Sequence, residues 1–399
     1  MVHHDVAVIG GGVVGLSTAL HAAELVHGSI AVLEKEEHLG QHQSGRNSGV
    51  LHPGFNYEPG SMRAEFAVEG TRRAKAFCRD HDVPLEKNGV VVVATDPAEE
   101  RHLETLAAQA EANGVTASVV DEHRLAELEP HADGRAALYC PSAAAIDSQS
   151  YLHALASEAR NAGVRRYMST AVTDIEPLAD GYRLGTSSGE FRCSYLVNAA
   201  GLGADRLAHE VGVGEEYRII PFRGEYREVV PDRRSLCRSM IYPTPDPELP
   251  FLGVHFTTRT DGRVIIGPNA VLAFGREAYD RYDIDLGDIV EMLEFPGFWR
   301  LLSRPKMARI AATELHKTYR HERFVAAARE LVPGLRTEDV VDSYAGVRAQ
   351  LVSEDGTLIH DPRIVDAGRA THVLNAVSPG LTASLPMGEH LAERVARRL

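Results

Sequence analysis

Cysteine is scarce in this chain of 399 residues: it has only Cys78, Cys140, Cys193 and Cys237, with no C-x-x-C pair among them. That excludes a zinc ribbon and a thioredoxin-type motif, and free thiols in a reducing cytoplasm are the simplest reading. Lysine supplies 5 of the 42 basic residues, a bias that carries no functional reading. Acid outnumbers base, 56 to 42, for a formal net charge of −14. Nucleic-acid binding draws its affinity from Lys and Arg on phosphates, so this balance argues against it, and against broad contact with anionic lipid. No apolar run approaches the roughly 20 residues of a membrane span. The N-terminal apolar run is cut by Gly10-Gly11-Gly12 and lacks a Lys/Arg-rich start, unlike a signal peptide. No repeat or low-complexity segment is present. What remains is ordinary globular composition, 44% hydrophobic and 25% charged, in a chain long enough for two or three domains at about 150 residues each.

The opening reads strand, tight turn, helix, strand. Val6 to Ile9 is a continuous apolar run suited to a strand buried on both faces of a parallel sheet. Gly10 to Gly15 supplies the turn, Val14 to Leu25 the helix, and Ile30 to Leu33 a second buried strand. Ala98 to Asn113 and Tyr151 to Ala162 also read as helices. Tyr195 to Gly201 repeats the strand-to-glycine-turn pattern. Phe222 to Val230 and Leu252 to Ile266 alternate as antiparallel strands do, with Asp261-Gly262 as a hairpin turn. Asp285 to Leu302 and Met307 to Leu331 read as single helices. His372 to Val377 forms a last strand, followed by Ser378-Pro379-Gly380 and a helix starting after Gly380. The pattern predicts a discontinuous two-domain α/β protein.

Gly10-x-Gly12-x-x-Gly15 follows a strand and opens a helix, the setting in which this motif marks a dinucleotide site. The first glycine permits the turn, the second lets a pyrophosphate approach the backbone, and the third packs helix on strand. Helix N-terminal N–H groups hold the anion. Glu34 ends the second strand, where a carboxylate can bind the adenosine ribose. The choice between NAD and FAD leans to FAD. The motif is N-terminal, Lys35-Glu36 follows Glu34 in place of another such repeat, and remote elements at Asn198 to Gly201 and Ser378 to Gly380 suggest one long cofactor.

Longer stretches are more specific. They include Gln43-Ser44-Gly45-Arg46-Asn47-Ser48-Gly49-Val50-Leu51-His52-Pro53-Gly54, Tyr57-x-Pro59-Gly60-Ser61, Pro221-Phe222-Arg223-Gly224-Glu225-Tyr226, Ile265-Ile266-Gly267-Pro268-Asn269-Ala270, Ala345-Gly346-Val347-Arg348-Ala349-Gln350 and Asn375-Ala376-x-Ser378-Pro379-Gly380. In these the chain resembles the FAD-dependent D-amino-acid-oxidase-like superfamily, and within it the L-2-hydroxyglutarate dehydrogenase/oxidase branch. The resemblance covers essentially the whole chain in order. It implies an α/β fold in which a Rossmann-like FAD-binding domain (1–80, 145–220 and 335–399) is interrupted by an antiparallel-sheet substrate domain (81–144 and 221–334). It further implies non-covalent FAD and oxidation of (S)-2-hydroxyglutarate to 2-oxoglutarate by hydride transfer to flavin N5. Oxygen, a quinone or an electron-transfer flavoprotein would then take the electrons. A cytoplasmic location with at most peripheral membrane contact is expected. Two other readings stand beside it: an amine oxidase of the glycine/sarcosine type, and a non-catalytic flavin-binding subunit.

Oxidising a 2-hydroxy acid needs a base, and histidine titrates near neutral pH. Among 19 histidines, His52 is singled out by its polar, glycine-flanked loop and by the resemblance. His255 sits in an alternating segment and is weighed evenly between pocket and sheet interior. A substrate carboxylate calls for a rigid cationic fork. The resemblance gives that part to Arg348, with Arg46 and Arg223 as weaker candidates for a second carboxylate and Tyr226 as a pocket wall. It also sets Ser44, Asn47 and Ser48 beside pyrophosphate and ring, Val172 at an adenine-contacting strand, and Ala200 and Gly201 against the dinucleotide. Gly346, Gly380, Leu381 and Thr382 fall near the isoalloxazine. The remaining histidines show no metal-binding spacing, and no metal is required.

Overall fold

The computed structural model describes residues 2–245, 253–376 and 378–399. Leu252 and Val377, the ends of two expected strand runs, lie outside them. In the first large sheet, Gly189–Asn198, Val2–Ile9, Ile30–Leu33 and Arg165–Tyr167 run parallel. Ala370–Asn375 joins Gly189–Asn198, also in parallel, with Arg363–Ala367 beyond it. Val6 to Ile9 and Ile30 to Leu33 are buried throughout, as their unbroken apolar runs require. The helix Val13–Leu25 crosses between these strands, and the helix Ser384–Ala396 packs along it. Gly388 lets the two helices meet, because a Cβ there would lie 2.6 Å from Ser17 Cβ.

The second large sheet has the order Val271–Leu272, Tyr217–Val229, Val264–Ile266, Phe256–Thr258, Met240–Pro243, Val90–Ala94, Ala136–Cys140, Ser118–Asp121. Val340–Ser353 pairs along nearly the full length of Tyr217–Val229. The pairing of Met240–Pro243 with Val90–Ala94 is parallel, so the sheet is mixed and not wholly antiparallel as alternation suggested. The hairpin at Asp261-Gly262 is present: Gly262 has φ +76°, and Arg259 N–H donates to the Arg263 carbonyl at 2.8 Å.

Both long helical runs are broken. Helix Leu286–Glu294 stops at Phe295 because Pro296 forces its predecessor into extended backbone (φ −81°, ψ 117°) and then opens helix Pro296–Leu302. Pro305–Tyr319 and His321–Arg329 are separated by an extended Arg320. The C-terminal helix begins at Ser384, after a turn in which Ala383 N–H donates to the Pro379 carbonyl (2.9 Å), and not directly after Gly380. Among the described residues no helix is long and apolar enough to cross a membrane.

Near the end of the first sheet, His372 is fully buried and its Nδ1 accepts from Asn198 Nδ2 at 3.2 Å. Burial brings its pKa down from 6.5 to about 4. Unfolding therefore takes up a proton between those values, and stability falls as pH drops through that window. His372→Gln should flatten the decline of Tm between pH 6.5 and 4.5 in a thermal-melt series; an unchanged slope would place the titration elsewhere.

Candidate active site

A cavity of about 1230 Å³ runs between the two large sheets, lined from both. That exceeds the roughly 300–1,000 Å³ of ordinary small-molecule pockets and suits a dinucleotide with a substrate beside it. At one end lies the glycine turn. Gly10 has φ +106°, donates its N–H to the Leu33 carbonyl at 2.9 Å, and has no room for a Cβ against Ala199. A Cβ on Gly12 would lie 2.8 Å from Ser44 Oγ, which itself accepts from Val13 N–H at 3.0 Å. Gly15 is packed against the Gly10 carbonyl and does not line the cavity, in keeping with its helix-packing role. Glu34 accepts from Gly11 N–H (2.7 Å) and Glu36 N–H (3.0 Å), so its carboxylate faces the turn. A helix N-terminus with no side-chain cap, next to a bare glycine backbone, fits a pyrophosphate.

Val172, Ala200 and Gly201 line the same end. Asn198 shapes their turn by accepting from Ala200 N–H (3.2 Å) and donating to the Ala204 carbonyl (2.7 Å). At the mouth, His42 contacts Glu36 (2.8 Å) and Tyr279 (2.5 Å), while Lys35 pairs with both Glu36 and Glu277. Glu36, His42 and Glu277 stand close enough to ligate a metal, but the Lys35 ammonium makes the group an ion-pair clasp between two loops.

The middle of the cavity has a floor without side chains. Gly224 and Gly346 are paired directly across the strands Tyr217–Val229 and Val340–Ser353, and both line the cavity. A Cβ on Gly346 would strike the Arg46 carbonyl, and one on Gly224 would lie 2.8 Å from Pro268 Cβ. A planar ring system fits such a floor. Tyr226 sits where the register shifts between Glu225 and Arg227, a bulge that turns it into the cavity against Tyr344 (centroids 4.6 Å apart). Ser48 hydrogen-bonds Tyr226. Asn47 braces its own loop, donating to the Gln43 and Ser44 carbonyls and accepting from Gly49 N–H, each at 2.9 Å.

His52, His255 and Arg348 come together at the far end, with Gly380 and Leu381. The Tyr242 ring stands between the histidines, 6.3 Å from His52 and 4.4 Å from His255. His255 Nδ1 meets the Gly253 carbonyl at 2.8 Å. Thr382 does not line the cavity; its hydroxyl accepts from His52 N–H at 3.0 Å and locks the loop to the C-terminal segment. The His52 pKa falls to about 3, mainly through loss of solvation and then through His255, Arg63 and Arg348. His255 falls to about 4, again chiefly by burial. Both stay neutral at pH 7, so the expectation of a base titrating near neutrality is corrected: desolvation and neighbouring cations override the intrinsic value. The Arg348 guanidinium is also shifted down by burial, an effect the nearby Tyr226 and Glu314 oppose.

Two expected carboxylate partners are not at this end. Arg223 is buried on the other face, with its guanidinium on the Asp280 carbonyl (2.9 Å) and Glu225 (3.2 Å). Arg46 lines the cavity but lies over Tyr279, bonded to the Gln41 and Ala345 carbonyls. Arg63, Tyr57, Tyr242 and His360 line the far end and were not singled out as site residues from the sequence. For Tyr57 and Arg63 the one signal was the motif Tyr57-x-Pro59-Gly60-Ser61, which begins with Tyr57 and ends at the N-cap Ser61, two residues before Arg63. The four cysteines are buried and none lines the cavity.

Comparison with known proteins agrees with this layout. Residues 5–394 match the family described as FAD dependent oxidoreductase (DAO). The chain is 38% identical to an L-2-hydroxyglutarate dehydrogenase of Indibacter alkaliphilus over 99% of each chain. It is 36% identical to that of Escherichia coli, covering 98% of this chain and 93% of the relative. Among solved structures it is similar to L-alpha-glycerophosphate oxidase from Mycoplasma pneumoniae with FAD bound (TM-score 0.81, 24% identity, 100% of this chain and 95% of that one). Glycine oxidase from Geobacillus kaustophilus gives a TM-score of 0.72 at 21% identity, over 100% and 96%.

Glu34→Ala should weaken FAD retention, read as flavin absorbance per protein after gel filtration, while leaving the melting temperature of the FAD-free protein within a few degrees. Full retention would remove Glu34 from the ribose assignment.

Proposed function

The chain belongs to the FAD-dependent oxidoreductase family, and from that premise we propose that it oxidises (S)-2-hydroxyglutarate to 2-oxoglutarate. What carries this reading is the meeting of His52, His255 and Arg348 at the end of the cavity away from the glycine turn. The reaction converts a C2–OH to a carbonyl by loss of a hydride from C2 and a proton from the hydroxyl. Bound FAD supplies the two-electron acceptor. Arg348 holds the carboxylate beside C2 as a planar fork and thereby orients the hydroxyl. His52, neutral at physiological pH, accepts the hydroxyl proton. His255 uses Nδ1–H on the Gly253 carbonyl, which keeps Nε2 as its accepting atom toward the pocket. A bound carboxylate offsets the cations that depress His52 and so raises its basicity when substrate is present.

Ser44, Asn47, Ser48, Gly346, Gly380 and Leu381 serve the cofactor in this reading. Thr382 acts through His52. In this reading the FAD is held non-covalently, as the resemblance implies. We divide the chain into an FAD-binding domain at 1–80, 145–220 and 335–399 and a substrate domain at 81–144 and 221–334, with the strand Val340–Ser353 pairing onto Tyr217–Val229. A cytoplasmic location with peripheral membrane contact goes with a quinone acceptor; exposed apolar side chains gather between Tyr282 and Trp299, where such a contact would fall. Offering oxygen, a quinone and an electron-transfer flavoprotein in turn to the reduced enzyme separates the three acceptors.

The test of the reading is formation of 2-oxoglutarate from the L isomer, with the D isomer, glycine and sarcosine as controls. Turnover of L-2-hydroxyglutarate alone is expected; turnover of glycine or sarcosine alone would replace the reading with an amine oxidase. His52→Ala should lower kcat by about 100-fold, the usual scale of a lost general base, with FAD content retained. Because His52 and His255 protonate only near pH 3–4, kcat/KM should stay level as pH falls from 8 to 5 and decline only in stronger acid. An acid limb near 6.5 would contradict the structure.

A further inference from the structure

A 2-hydroxy dicarboxylate carries a second anion three carbons beyond the reacting carbon, and the cavity separates its charges in a way that meets it. Among the described residues, the carboxylates lining the cavity are Glu34, Glu36, Glu210 and Glu277, none of which adjoins the two histidines. The reaction end is lined instead by Arg63 and Arg348, together with His52, His255 and His360.

Arg63 occupies the first turn of the helix Met62–Asp80, two residues after the N-cap Ser61. Three contacts fix it. Its backbone N–H donates to Asp361 Oδ1 at 3.2 Å, its Nε donates to the Ser378 carbonyl at 2.8 Å, and its guanidinium lies 4.2 Å over the buried ring of Tyr57. The fork is stacked on Tyr57, hydrogen-bonded to it and anchored on the Ser378 carbonyl, yet among the described residues no carboxylate forms an ion pair with it. The Arg63 charge lowers the pKa of His52, of His360 and of Arg348, so it stands within Coulombic reach of all three. Other arginines near the cavity are committed elsewhere: Arg206 and Arg276 to Asp205, Asp288 and Glu291, and Arg46 to the tyrosine at the opposite mouth. The charge of Arg304 is felt at Asp355.

We propose that Arg63 binds the distal carboxylate of the substrate while Arg348 takes the one beside the reacting carbon, making Arg63 the residue that selects a dicarboxylate over a monocarboxylate. This rests on the oxidation of a 2-hydroxy acid argued above. It also accounts for a half-buried guanidinium that, among the described residues, has no carboxylate in ion-pair contact, a state an anionic ligand relieves.

The test compares L-2-hydroxyglutarate with (S)-2-hydroxypentanoate, which keeps the chain length and lacks the second carboxylate. Wild-type enzyme should strongly favour the dicarboxylate. Arg63→Gln should raise KM for L-2-hydroxyglutarate about 10- to 100-fold, the scale of one lost charge-assisted contact, with kcat changed far less. Its kcat/KM for 2-hydroxypentanoate should stay within about twofold, and Arg63→Lys should recover part of the loss on the dicarboxylate alone. Flavin content and melting temperature of both variants guard against misfolding; if Arg63→Gln does not fold, the Arg63→Lys comparison decides. Equal losses on both substrates, or no loss on either, would overturn the assignment while leaving the oxidation reading intact. Absence of wild-type turnover of L-2-hydroxyglutarate would overturn both.

Discussion

The site depends on one strand pair. Tyr217–Val229 and Val340–Ser353 run antiparallel from Tyr217 opposite Ser353 to Val229 opposite Val340. That register sets Gly224 against Gly346 and Phe222 against Arg348, so a bare backbone floor and a cationic fork come from alternate rungs, on one face of one ladder. The bulge after Glu225 then rotates Tyr226 into the same space. Because the side-chain period of a strand is two, a slip of one residue would carry Arg348 to the opposite face. The ladder is also tied to the cofactor loop, since Tyr344 donates to the Asn47 carbonyl at 2.7 Å. Position along this pair therefore decides where the cavity ends and what charge its end carries.

The cavity is polarised along its length. At the glycine turn, anions are met by backbone N–H groups and a helix N-terminus, with Glu34 and the Lys35, Glu36, His42 and Glu277 clasp around them. At the other end, desolvated histidines stay neutral among guanidinium groups. Guanidinium groups held in such poorly solvated surroundings pre-form a site for anionic ligands. The same cations that lower the histidine pKa values are the ones a carboxylate substrate neutralises, so binding and proton acceptance are coupled through one local field.

Much of the cofactor half was legible because its requirements are local. A pyrophosphate needs glycines at fixed offsets between a buried strand and a helix, and Gly10, Gly12, Gly15 and Glu34 meet that need within one βαβ unit. His52 was marked by its loop. Recognition of the substrate is non-local, and that is where reading failed. Arg223 and Arg348 look alike as arginines on strands, but only the register shows that one turns to Asp280 and Glu225 and the other to the cavity. Arg63 reads as an ordinary charge in a polar helix until its contacts with Tyr57 and Ser378, remote in sequence from one another, are seen. The low histidine pKa values arise from burial that no local pattern encodes. Helix ends failed for a nearer reason: the apolar period continues across Pro296, while the backbone cannot.

The most direct measurement of the central claim is an anaerobic absorbance scan of the purified enzyme titrated with L-2-hydroxyglutarate, followed by the D isomer on a fresh sample. The account predicts an oxidised-flavin spectrum that bleaches with about one equivalent of the L isomer and is unmoved by the D isomer, since one hydride carries both electrons. A flavin spectrum that the L isomer leaves unchanged would contradict the assigned reaction, and absence of any bound or heat-released flavin would contradict the cofactor.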